Sequence, residues 1–148
     1  MTPRILEGKS GVAVIDAVGV ATVDEIRAVV KQLVERAAGA PSTAVIGGLS
    51  ALSLDAAGRA ALDALGRWVV RVDVDSLVVI GERLRALHLG AVLEGSWSEE
   101  SVLVPDVATA IEVVIASLAA DERRHGGVLA VAGDAPGLAG VVDALVGR

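Results

Sequence analysis

The sequence predicts an α/β fold: a Rossmann-like, doubly wound, mostly parallel sheet of five or six strands with helices on both faces. Three observations lead there. Apolar runs such as Gly11–Asp16 and Leu77–Ile80 do not alternate with polar residues, as strands covered on both faces require. Stretches with helical spacing separate those runs along the whole chain, and βα alternation builds a parallel sheet under helices. A length of 148 residues suits one core, so the reading is a single domain over 1–148.

Arg4–Glu7 is a candidate edge strand ahead of the first buried run. Thr22-Val-Asp-Glu25 has the pattern of a capping box, with Thr22 over the backbone and Glu25 reaching back. The helix it opens carries Val23, Ile26, Val30, Leu33, Val34 and Ala37 on one face and stops at Gly39, with Pro41 beyond. Thr43–Ile46 is the second strand and ends in Gly47-Gly48. Ser53 is expected to cap the next helix, with Ala61, Leu62, Leu65, Trp68 and Val69 inward and Trp68 buried. Leu77–Ile80 also ends in glycine and leads into a short helix around Glu82–Leu89. Val102–Val104 is the fourth strand. After Pro105, a helix carries Val107, Ile111, Val114, Ile115 and Leu118 along one side. Val128–Val131 is the fifth strand, and the last helix buries Leu138, Val141, Val142 and Leu145.

Composition narrows the chemistry. Phe, Tyr and Cys are absent, so the core must be packed from Val, Leu, Ile and Ala, with Trp68 and Trp97 the two aromatic side chains. Without cysteine there is no disulfide, thiolate catalysis or cysteine metal site. A net charge of -6 disfavours nucleic acid and anionic membrane surfaces. Acidic and basic residues interrupt every apolar stretch before it could span a bilayer, so no membrane insertion is expected and the location is read as cytoplasmic.

Open α/β sheets bind ligands at the carboxyl ends of their strands. After Asp16 that loop reads Ala-Val-Gly-Val-Ala, and Thr22 is its one side-chain hydrogen-bonding group. Asp16, Thr22 and, after the fifth strand, Asp134 are therefore the ligand-binding candidates. No catalytic residue and no metal site are assigned. Gly8-Lys9-Ser10 looks like the tail of a phosphate loop, but Pro3 holds the place of the earlier glycine and the segment precedes a strand, so an exposed turn is the plainer reading. Asp73 and Asp75 are read as solvated acids, and His88 and His125 have no triad partner at a suggestive spacing. The polar stretch Glu94–Ser101 holds Trp97, a side-chain type enriched at protein contacts, which makes it the candidate surface for a protein partner or self-association.

Block by block, the chain resembles the C-terminal domain of the Mur ligases, on the branch that adds D-alanyl-D-alanine to the UDP-muramoyl tripeptide. Val14-Ile15-Asp16 is similar to the strand that ends in the family's D-D-x-Y-N-A-N-P, and Ala44-Val-Ile-Gly47 to its A-V-L-G-D-M. Leu77–Ala86 resembles V-x-V-G-x-x-A-R-x-L, Val104-Pro-Asp106 with Ala110 resembles F-P-D-x-x-x-A, and Val128–Leu145 resembles the terminal block. The signature loops depart from the pattern. Ala17, Gly19, Val20, Thr22 and Val23 stand at the second aspartate, the tyrosine, the two asparagines and the proline. The chain has no Asn at all, and Gly48 takes the aspartate of the second block. Val131 or Ala132 takes the lysine of the last block, with Asp134 near its arginine. In the family the first loop helps hold adenine, while ATP hydrolysis and the UDP-sugar site belong to other domains.

The resemblance thus implies a non-catalytic Mur-ligase C-terminal-like domain, a binding or regulatory module tied to peptidoglycan precursor synthesis, with no cofactor and no enzymatic activity of this chain alone. The alternative is the C-terminal domain of a larger ATP-dependent amide ligase, in which ATP and Mg enter through the other domains. A small enzyme on the same frame ranks third, for want of a nucleophile–base pair or phosphate loop.

Overall fold

A computed structural model describes residues 3–95, 101–120, 122 and 126–147. They build one sheet in the order β1-β2-β6-β3-β4-β5. The strands are β1 (Arg4–Glu7), β2 (Ala13–Val18), β3 (Ser42–Gly47), β4 (Ser76–Ile80), β5 (Ser101–Val104) and β6 (Val128–Gly133). Only β1 is antiparallel, pairing Arg4 with Asp16, and the other pairings are parallel. The helices are α1 (Val23–Ala37), α2 (Ala56–Arg71), α3 (Arg85–Glu94), α4 (Val107–Ala120) and α5 (Ala139–Val146). The expected doubly wound, mostly parallel sheet is therefore present: β1 has the expected bounds, β2 lies two residues later than the run Gly11–Asp16, and β3 to β6 are one or two residues longer than their apolar runs.

Two cores lie on opposite faces of the sheet. One joins α1, α2 and α3 through Ile26, Leu33, Leu62, Leu65 and Leu87, and the other joins α4 and α5 through Val114, Leu118, Val141 and Leu145. The central strand β6 is buried throughout, which explains why its sequence shows no alternation. The α2–α3 crossing is close because it has no side chain in the way. A Cβ on Gly66 would overlap the Leu87 carbonyl oxygen and stand 2.8 Å from the Ala91 nitrogen.

Three local expectations need correction. Ser53 does not cap α2. Asp55 does, accepting from the Gly58 nitrogen at 2.8 Å. Carboxylates and hydroxyls are both good caps, and the chain turns two residues later than expected. The predicted helix over Glu82–Leu89 is a 3-10 turn, Glu82–Leu84, that passes into α3. Trp68 is not fully buried: it packs against the core from its margin, and the Arg27 guanidinium on α1 lies 4.9 Å from the ring centroid. Leu62 and Leu65, on the same helix, are fully buried as expected.

Candidate functional site

The capping box expected at the head of α1 is present. The Thr22 hydroxyl accepts from the Glu25 nitrogen at 3.2 Å and donates to Glu25 Oε1 at 2.9 Å, and Oε1 also accepts from the Thr22 nitrogen at 3.2 Å. A hydrogen bond from the Ala21 backbone to Glu25 contributes most to holding its carboxyl below the ordinary range. Thr22 is thus engaged in ordering α1.

Parallel strands β2, β6 and β3 and the turn after β4 deliver four glycines with positive φ to the carboxyl edge: Gly19 at 108°, Gly133 at 124°, Gly48 at 98° and Gly81 at 95°. These turns bring backbone against backbone. The Gly19 nitrogen donates to the Gly133 oxygen at 2.7 Å, and the Ala135 nitrogen donates to the Gly47 oxygen at 3.3 Å. The crevices beside β6, where a sheet of this winding usually takes its ligand, are closed by main chain.

The acids at this edge are bound within the chain. Asp16 sits opposite Arg4, whose Nη2 donates to Oδ2 at 2.5 Å, while Oδ1 accepts from the Val18 nitrogen at 3.2 Å. Asp134 accepts from the Ser50 hydroxyl and from the Ser50 nitrogen at 3.1 Å. The hydroxyl bond is the main cause that holds its carboxyl below the ordinary value. Arg83 lies along the same loop, and its guanidinium donates to the carbonyls of Gly48 at 2.7 Å and Leu49 at 2.8 Å, and also to that of Leu52. Sequence reading did not single out Ser50 or Arg83. Their roles depend on contacts 84 and 31 to 35 residues away, for which a single sequence carries no signal.

Among the described residues this edge holds a groove of about 530 Å³ across the ends of β3, β4 and β5, with Gly48, Ile80, Arg83, Pro105, Asp106 and Ala135 among its walls. Its character is apolar. Asp106 accepts from the Thr109 nitrogen at 2.8 Å and hydroxyl at 2.7 Å, and that hydroxyl is the first cause lowering its pKa. Among the described residues no group of three His, Cys, Asp or Glu could hold a metal ion. Asp75, one of the acids read as solvated, accepts from the Ser42 nitrogen at 2.8 Å at the other end of the sheet. Trp97 and His125 lie outside the described residues. The ends of the polar stretch belong to regular structure: Glu94 closes α3 and pairs with Arg71 at 3.0 Å, and Ser101 is buried in β5.

His88 does have a serine partner, although none is near it in sequence. Its Nδ1 lies 2.7 Å from the Ser101 hydroxyl, between α3 and the edge strand. Burial, then Arg85, lowers its pKa below 6.5. The unfolded chain therefore takes up this proton first on acidification. The stabilisation is complete above about pH 6.5 and declines as pH falls towards the lowered folded value. We expect the melting temperature to fall between about pH 7.5 and 5.5, and His88→Gln to flatten that slope in calorimetric scans. An identical slope in the variant would assign the effect to other groups.

No family model matches the chain. Curated relatives do. The chain is 39% identical over 149 residues to the UDP-N-acetylmuramoyl-tripeptide–D-alanyl-D-alanine ligases of Mycobacterium tuberculosis and Mycobacterium bovis, an alignment that covers 92% of this chain and 29% of theirs. The Mycobacterium leprae ligase is 44% identical over 87 residues. The chain is a relative of the Mur ligases. The fold agrees: MurF from Acinetobacter baumannii superimposes with a TM-score of 0.77 at 17% identity, over 98% of this chain and 30% of that one. The likeness is to the C-terminal Mur ligase domain, and the chain spans less than a third of the mycobacterial relatives it matches.

Set against the Mur-ligase pattern, the two altered blocks meet in space. Gly48 stands where the family has aspartate, and a Cβ there would run into Asp134 Oδ1 and stand 2.7 Å from the Asp134 carbonyl carbon. Asp134, from the last block, fills the space that a side chain at 48 would take. The β2–α1 loop of this relative does not fit a nucleotide base. It presents aliphatic side chains and backbone, and its one polar side chain, Thr22, is bonded to Glu25, as Asp16 at the end of β2 is to Arg4.

Proposed function

We propose that this domain works as the C-terminal domain of an ATP-dependent amide ligase of peptidoglycan precursor synthesis, in the cytoplasm, and supplies a shaped wall of the substrate site with no reacting group of its own. One observation carries the reading: 39% identity with the mycobacterial ligases persists over 92% of the chain. ATP and Mg would be held by the partner domains, since the β2–α1 loop offers no fit for the base. The substrates named for the relatives, a UDP-N-acetylmuramoyl tripeptide and D-alanyl-D-alanine, are the ones proposed here.

A second reading, a non-catalytic binding or regulatory module, draws on the internal bonding of Asp16, Thr22 and Asp134. It gives these residues structural roles and assigns partner contact to Trp97 in the Glu94–Ser101 stretch. Reconstitution separates the two. The chain would be added to the N-terminal and central domains of the Mycobacterium tuberculosis ligase, with that ligase's own C-terminal domain as the positive control. Phosphate release dependent on D-alanyl-D-alanine, at least tenfold above background, is expected. Background release from this chain alongside an active control would refute the ligase reading and favour the module.

A further inference from the structure

Strand β1 ends the sheet and, among the described residues, has a neighbour on one side only, β2. Its register with β2 sets which backbone groups point outward. Arg4 faces Asp16 and Glu7 faces Ala13, and just past the strand the Gly8 nitrogen donates to the Val12 oxygen at 2.7 Å. Antiparallel ladders alternate hydrogen-bonded with non-hydrogen-bonded pairs. Arg4, Leu6 and Gly8 therefore turn their backbone groups towards β2, and the N–H and C=O of Ile5 and Glu7 point to the open side.

The side chains mark the same place. Ile5 lies beside Ile15 on the face that carries α1, yet it is 48% exposed, one of four large apolar side chains exposed among the described residues. Leu6 points the other way and packs against the α4–α5 core. An edge with outward donors and acceptors is a template for another strand. Symmetry restricts which strand. Opposed residues of an antiparallel pair share a face, so a strand that pairs with its own copy must be centred on a residue. Ile5 is the centre that fits, because its backbone groups point outward and its side chain is apolar and uncovered.

We propose that β1 is the contact surface for a second copy of this chain, through antiparallel β1–β1 pairing about a twofold axis at Ile5. The Ile5 N–H and C=O bond those of the copy, and the two isoleucine side chains meet directly opposite each other, where cross-strand pairs interact. In this register Glu7 faces Pro3 of the copy, and its N–H meets the carbonyl that a proline retains. Each edge is used once, so the pairing closes at two copies. A few backbone bonds and one apolar pair make a small contact, with a dissociation constant of about 0.1 mM. The proposal is independent of the ligase reading, since it uses none of the groove.

Sedimentation of the 148-residue chain at rising concentration tests it. The mass should climb from 14.9 kDa towards twice that value between about 0.01 and 1 mM, and the Ile5 and Glu7 amides should gain protection from hydrogen exchange in step. Ile5→Pro removes one outward donor and leaves the bonds to β2 intact, a change that edge strands tolerate. Ile5→Lys sets two ammonium groups opposite each other. Each should keep the fold and weaken association at least about tenfold. Leu93→Lys, at an exposed site on α3, should leave it unchanged. A monomer at about 1 mM would overturn the proposal. Slow exchange at Ile5 in the dilute monomer would do the same, since the chain itself would then cover the edge. Association that survives either Ile5 variant, or that Leu93→Lys abolishes, would overturn it too, and if Ile5→Pro fails to fold, Ile5→Lys decides.

Discussion

Gly133→Ala is expected to remove a large fraction of the protein's stability. Two penalties coincide at this residue. Its φ of 124° belongs to backbone that L side chains rarely adopt, at about 1–3 kcal/mol. An added Cβ would also overlap the Gly47 carbonyl oxygen and stand 3.1 Å from the Gly47 nitrogen. Both neighbours are main chain at the ends of β3 and β6, so relief requires the strands to part, at a further cost of about 1–3 kcal/mol or more. Against a total stability of about 5–15 kcal/mol, the sum is a large fraction. Gly137→Ala is the control, since φ there is 79° and a Cβ meets nothing within 4 Å. It should lose only about 1 kcal/mol. Urea denaturation followed by circular dichroism compares the two, and similar midpoints would mean that β3 and β6 do not approach as described.

Arg83→Ala should rank next, with a loss of about 3 kcal/mol and a disordered 48–52 loop. The guanidinium serves the carbonyls of Gly48, Leu49 and Leu52 together. Leu49, at φ 57°, is fully buried beneath that loop, so its strained turn depends on the anchor. Removal leaves part-buried carbonyls without their donor, which is worse than never having paired them. Lysine should recover little, because an ammonium on a flexible stem cannot reproduce the planar fork. Hydrogen exchange at Ser50 and Leu52 gives the local readout and denaturation the global one. A variant within about 0.5 kcal/mol of the parent, with unchanged exchange, would show that the loop holds itself. If the ligase reading is correct, the same substitution also reshapes the groove beside Gly48 and lowers the rate in the reconstituted assay.

Local chemistry was legible where the signal lay within a few residues. The Thr22–Glu25 box, the apolar strands, and the inward faces of α1 and α5 follow from spacing alone, because a helix or a buried strand imposes its period on the side chains it must hide. Even the misplaced cap at Ser53 missed by two residues, within a run of residues that turn equally well. The family was legible too, since hydrophobic blocks keep their order when the loops between them change.

The sequence by itself determined the fold class, the order of the strands' apolar blocks and the relation to the Mur ligases. The tertiary structure alone decided which partners the polar residues meet. Asp16 and Asp134 read as ligand candidates because an acid after a buried strand has no local partner, yet each finds one across the fold, Arg4 in the antiparallel edge strand and Ser50 in the β3–α2 loop. Trp68 read as core from its stripe, and it does pack against the core, but at its margin, where the Arg27 guanidinium of the neighbouring helix meets its ring. The physical reason is the same in each case. Apolar burial is set by periodicity along the chain, whereas a hydrogen bond or a cation over a ring depends on two groups meeting within a few ångströms, and only the packed sheet brings them together.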